Sequence, residues 1–180
     1  MQEAKSLIEE IPIASNINLI VADPLDAARI EIFDGYKSIA SIDEESQDFI
    51  VSTNHAISLP IQKLSNRRLE QSTNRYHTLY EYLNRNELVS LESLKGLVEK
   101  EYPTGLTVHN YEEWFGTLHS VLVDLHNRTM NICFGSPLLN DWYSLEVGGI
   151  MPFSEVNVNF KNKTYTDFWR EDKKKLIPKR

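Results

Sequence analysis

Phe49-Ile50-Val51-Ser52-Thr53-Asn54-His55 is the stretch on which the reading of this chain turns. A β-rich apolar run stops there at a side-chain amide. An Asn in that place can donate a hydrogen bond to a developing oxyanion, as acyl-transfer chemistry requires. Asn also ends strands for a plainer reason, because its side chain bonds nearby backbone and tolerates turn geometry. This segment alone leaves both readings open.

Working outward, Ala4, Leu7, Ile8 and Ile11 fall at helical spacing, and Pro12 ends the run. Asn18–Ala22 and Ala28–Phe33 read as two strands joined by the turn Asp23-Pro24-Leu25-Asp26. A third strand is expected near Tyr36–Ile42 and a fourth from Asp48 to Thr53, separated by the acidic turn Asp43-Glu44-Glu45. Beyond Asn54 a helix is expected to start around Ser65 or Ser72, with Leu69, Tyr76, Leu79, Tyr80 and Leu83 as its stripe. A second helix has Ser90 as N-cap, and Val89 and Leu94 are placed as a hydrophobic staple. Its stripe is Leu91, Leu94, Leu97 and Val98, and Pro103-Thr104-Gly105 closes it. Strands then return at Thr117–Leu125 and Thr129–Phe134, joined by His126-Asn127-Arg128, with a last β-like stretch over Glu155–Phe160. Strands, then helices, then strands predict an α+β layered domain rather than a parallel βαβ fold. One domain is expected over residues 1–160, followed by a polar, basic tail at 161–180.

Composition narrows the function classes. The 180 residues are 41% hydrophobic and 25% charged, which suits a globular domain with a sizeable core. A net charge of −7 argues against a general nucleic-acid binder, since phosphate contacts need clustered Lys and Arg. Lys173-Lys174-Lys175 is the exception and reads as a solvated tail. No apolar run is long enough for a membrane span, and the amphipathic start is not a signal peptide. A single cysteine forbids an intrachain disulfide and suits a cytoplasmic protein. The sequons at Asn127 and Asn162 carry no weight without a secretory signal. His55, His77, His109, His119 and His126 show no metal-ligand spacing, no phosphate-binding glycine loop occurs, and no cofactor is expected.

Three segments, taken in order, carry a resemblance: Thr53-Asn54-His55, then Ser72-Thr73-Asn74-Arg75-Tyr76, then Gly116-Thr117-Leu118-His119-Ser120 leading into a hairpin. Together they resemble the C-terminal part of the N-terminal-nucleophile (Ntn) amide hydrolases. The nearest groups are the acyl-coenzyme A:isopenicillin N acyltransferases and their linear-amide hydrolase kin, with choloylglycine hydrolases as cousins. The likeness covers most of residues 1–150 and fades in the last thirty. It implies part of an αββα sandwich of antiparallel sheets between helices. It also implies a cysteine nucleophile exposed at a chain start by self-cleavage, with its own α-amine as base. No residue here matches that cysteine.

On this resemblance Asn54 is the oxyanion donor. Arg75 either favours the thiolate of the nucleophile or holds a substrate carboxylate, and Arg67 and Arg68 compete for those roles. Thr117 and Ser120 read as sheet packing. His55 is expected to face away from Asn54 and to be structural. Cys133, inside a predicted strand, reads as a small buried hydrophobe, because cleavage before it would reverse the family's order of nucleophile, Asn and Arg. The leading expectation is the C-terminal half or subunit of an Ntn-type amidase or acyltransferase acting on a small linear amide, inactive alone. The partner would be a separate N-terminal chain bearing the cysteine, or further copies of this chain. The rival expectation is a non-catalytic, self-associating descendant used for ligand binding or protein interaction.

Overall fold

The computed structural model describes residues 1–161 except 46, 47, 66–68, 87 and 114. The expected basic tail, the Asn162 sequon and the competitors Arg67 and Arg68 lie outside the described residues. Helices and antiparallel sheets are mixed along the chain, so the fold class is α+β. The described residues gather into two compact units that divide at Asn84 and Arg85.

The first unit is built on an antiparallel meander of β1 (Ile17–Ala22), β2 (Ala27–Phe33) and β3 (Tyr36–Ser41). Asp34 and Gly35 close the second hairpin with φ of 50° and 80°, the left-handed pair that a two-residue turn between twisted strands needs. Register puts Leu19, Ile30 and Ile39 side by side on one face. Ala28, Ile30 and Ile32 of the central strand are buried there. Helix α1 (Gln2–Glu10) is tied to this sheet by lysines. Lys5 donates to Asp26 and Ser41, and Lys37, cross-strand from Ile32, donates to the carbonyls of Ile8, Glu9 and Ile11. Those carbonyls at the end of α1 have no helical partners, so a cation there satisfies them and meets the negative end of the helix dipole.

Asn18, Arg29 and Glu31 occupy the other face of the meander; α2 (Leu59–Gln62) packs against β2 and β3, and α3 (Glu70–Arg85) follows it in the chain. The expected fourth strand, Asp48–Thr53, is not one. Residues 49–53 join no ladder, although Val51 is buried and the Phe49 ring meets Tyr80 edge-on at 5.5 Å. The apolar run records burial, and the Thr53 carbonyl takes its partner from the Asn18 side chain. Ser72 does not head the helix, which begins at Glu70.

In the second unit, α4 (Leu91–Val98) starts as expected, with Ser90 and Ser93 forming a reciprocal capping box. After the short pair β4 (His109–Asn110) and β5 (Phe115–Gly116) comes an antiparallel sheet of β6 (His119–Asp124), β7 (Thr129–Phe134) and β8 (Trp142–Glu146). The β6–β7 hairpin stands where the sequence put it. Its turn is held by the Asp124 carboxylate, which accepts from the backbone and side-chain amides of Asn127. β8 was not expected, and Glu155–Phe160, which was, forms no strand. That stretch runs as an unpaired strap, pinned where Asn140 exchanges two hydrogen bonds with the backbone of Asn159.

Candidate functional site

The segment around Asn54 is suspended from side chains of the meander. Asn18 donates its amide to the carbonyls of Thr53 and His55, the residues on either side of Asn54. The Glu31 carboxylate, 1% exposed, accepts the backbone N–H groups of Ile57 at 2.6 Å and Ser58 at 2.7 Å. Buried backbone groups must find partners somewhere, and here polar residues set among the apolar ones of β1 and β2 supply them. The chain from Thr53 to Ser58 is thereby held without a ladder.

The first turn of α3 grips the same segment from the other side. Gln71 and Ser72 are buried. The Thr53 hydroxyl donates to the Ser72 carbonyl at 3.0 Å, and the Ser72 hydroxyl donates to Thr53 Oγ1 at 3.1 Å. His55 Nδ1 lies 3.0 Å from Thr53 Oγ1 and 2.9 Å from Ser72 Oγ. The ring and the two hydroxyls thus form one closed hydrogen-bonded triangle. The His55 ring is buried and meets Tyr76 edge-on at 5.7 Å. Asn54, between the two anchored residues, is turned outward and exposed.

Asn54 and Arg75, 21 positions apart, touch. Arg75 Nη2 donates to Asn54 Oδ1 at 2.7 Å. A guanidinium offers donors only, so the amide must present its oxygen to Arg75 and turn Nδ2 the other way. Nδ2 makes no hydrogen bond to any described residue. Asn54 borders a cleft of about 350 Å³ that runs past Asn18 and Thr53 to the apolar side chains of Ile17, Ile32 and Ile61. An amide N–H at the lip of an uncharged, partly apolar cleft can stabilise negative charge developing on a carbonyl oxygen.

The remaining candidates have local tasks. Thr117 Oγ1 accepts from the Val108 N–H, and Ser120 pairs with Cys133 across β6 and β7. Cys133 is fully buried, with Sγ 3.5 Å from the Asn140 carbonyl. Burial first, then the negative charges of Asp141 and Glu99, push its thiol up to about 11. Such a thiol is protonated at neutral pH and shielded from any substrate. Among the described residues no group of three or more His, Cys, Asp or Glu could hold a metal ion, and no helix is long and apolar enough to cross a membrane.

Sequence reasoning passed over Gln71, and it gave Thr53 and Ser72 no task beyond carrying their motifs, although all three hold the segment. A signal existed for Gln71, which stands four residues before Arg75 and therefore on its side of the helix. It also passed over a cluster in the second unit, where His109 Nδ1 is 3.0 Å from Glu101 and Nε2 is 2.7 Å from Ser136 Oγ. A comparison with curated proteins finds no match. The sequence profile described as acyl-coenzyme A:6-aminopenicillanic acid acyl-transferase matches residues 1–139.

Proposed function

The chain belongs to the acyl-coenzyme A:6-aminopenicillanic acid acyl-transferase family, and from that premise we propose that it supplies the oxyanion side of an Ntn-type amidase or acyltransferase acting on linear amide bonds. The observation that carries the reading is the Asn54 amide, locked by Arg75 with its N–H donor turned away from the guanidinium, at the lip of the cleft. A thiolate attacks the amide carbonyl, and Asn54 Nδ2 binds the oxygen as it becomes an anion. Collapse of this intermediate breaks the C–N bond, and the amine leaves with a proton from the α-amine of the partner's cysteine. Water or a second amine then attacks the thioester and frees the thiolate. Arg75 keeps Asn54 in place and adds positive charge beside the reacting thiol, which favours its thiolate.

The thiolate comes from elsewhere. Cys133 is the sole cysteine of the 180 residues, and its burial and raised pKa disqualify it. A separate chain segment beginning with cysteine is the proposed source, and the α+β fold is proposed as part of an αββα sandwich that this partner completes. The mixture of helices with antiparallel sheets supports that architecture. A second reading, a non-catalytic and self-associating descendant, has one observation in its favour. Edge strand β6 exposes Val121 and Val123 on one face, next to exposed Leu118.

Amide turnover separates the two readings. The purified 180-residue chain is expected to release no p-nitroaniline from acyl p-nitroanilides, and activity should appear only with a cysteine-bearing partner. Turnover by the pure chain that Asn54→Ala abolishes would overturn the divided site.

A further inference from the structure

Gln71 does not border the cleft, yet it determines how a group at the cleft is aimed. It is 2% exposed in the first turn of α3. Its Oε1 accepts from Arg75 Nε at 3.0 Å and from Nη2 at 2.6 Å. One carbonyl oxygen therefore takes two N–H groups along one edge of the guanidinium, within the capacity of its two lone pairs. The same Nη2 donates to Asn54 Oδ1. Arg is long and flexible, and an exposed Asn amide turns over freely unless something distinguishes its oxygen from its nitrogen. Only one of the two orientations offers a donor away from Arg75.

We propose that Gln71 is a positioning residue that holds Arg75 against Asn54 and, through that contact, keeps the Asn54 amide turned so that Nδ2 is the group offered to the cleft. The proposal rests on the reading of Asn54 as oxyanion donor. It adds what the family profile and the sequence motif leave out: the donor is aimed by a buried glutamine two bonds removed from the chemistry. The four-residue spacing of Gln71 and Arg75 places both side chains on one helical face, so the pair forms whenever the first two turns of α3 do.

The test is water exchange of the Arg75 Nε–H, followed by proton–nitrogen NMR on the full 180-residue chain and two variants. Gln71→Met keeps the shape and loses the acceptor, whereas Gln71→Glu keeps the acceptor. The expected result is exchange roughly tenfold faster in Gln71→Met, about the worth of one hydrogen bond, with the amide spectrum of β1–β3 retained and Gln71→Glu as slow as the parent. A purely structural role would disturb the sheet amides and leave the two variants alike. Parental exchange in Gln71→Met, or equally fast exchange in both variants, overturns the proposal. If Gln71→Met fails to fold, Gln71→Glu decides: a slow Arg75 N–H supports the proposal and a fast one overturns it. No substrate enters this measurement, so it can fail while the oxyanion reading stands. That reading fails instead if Asn54→Asp supports normal amide turnover in the assembled enzyme.

Discussion

Substitution can separate the two things Asn54 does. Asn54→Asp keeps an acceptor for Arg75 and removes the N–H donor, while Asn54→Ala removes both. If the amide binds the oxyanion, each variant loses about 10²–10³-fold in kcat in the assembled enzyme, the usual loss for one such donor. Both should leave the unfolding midpoint nearly unchanged, because the side chain is exposed. Cys133 makes the opposite case, a group with chemistry but no access. Its thiol should ignore an aromatic disulfide reagent at pH 8 and react fully in denaturant. Because its pKa rises from 9.0 to about 11 on folding, the folded state favours the protonated thiol. That contribution to stability is whole below pH 9 and is lost as pH climbs toward 11. The Glu101–His109–Ser136 cluster has the shape of a nucleophile, base and orienter, but Ser136 is 0% exposed. It therefore holds the fold, and His109→Ala should cost about 3 kcal/mol by chemical denaturation, since it empties a buried site and leaves the Ser136 hydroxyl only the longer contact from the Leu138 N–H. Asn54 and Arg75, which the structure brings into contact, were singled out in the sequence because each sits in a short motif beside a change of structure. Their supports were not: a buried Gln or Ser looks like any surface polar residue in a hydropathy pattern. His109 and Ser136 stand 27 positions apart with no local signal to join them.

At the scale of elements, β-rich apolar sequence proved a guide to extended, partly buried chain and a poorer guide to pairing. It marked β2, β6 and β7, and also residues 48–53 and 155–160, which join no ladder. The end of the first is held at Thr53 by Asn18 and α3, the second by Asn140. β8 was missed although Trp142 and Tyr143 favour strand and Gly148-Gly149 follows, because a five-residue run leaves little periodicity to read. Two substitutions test how the meander carries the site. Ile30→Ala removes a fully buried side chain from the central strand and should cost about 2–5 kcal/mol. Glu31→Gln puts an N–H donor where two backbone donors expect an acceptor, beside buried Arg29. It should cost about 3–5 kcal/mol, the range for breaking a buried charged group from its partners, and should shift the amide resonances of Ile57 and Ser58 most. Shifts no larger there than elsewhere would show that Glu31 does not carry the segment.

For the whole molecule the question is what meets its exposed edges. Ile17 and Ile20 on β1, and Val121 and Val123 on β6, are 40–48% exposed on edge strands of their sheets. Open edges with apolar side chains invite another strand, whether of the proposed cysteine-bearing partner or of a second copy. Val121→Lys should weaken retention of the partner roughly tenfold by placing a charge in the contact, without moving the unfolding midpoint. The measurement closest to the central claim is native purification of the chain, with intact mass and N-terminal sequencing of whatever accompanies it. The account predicts a stoichiometric companion whose first residue is cysteine. A chain that purifies only with copies of itself, and carries no such companion, would contradict it.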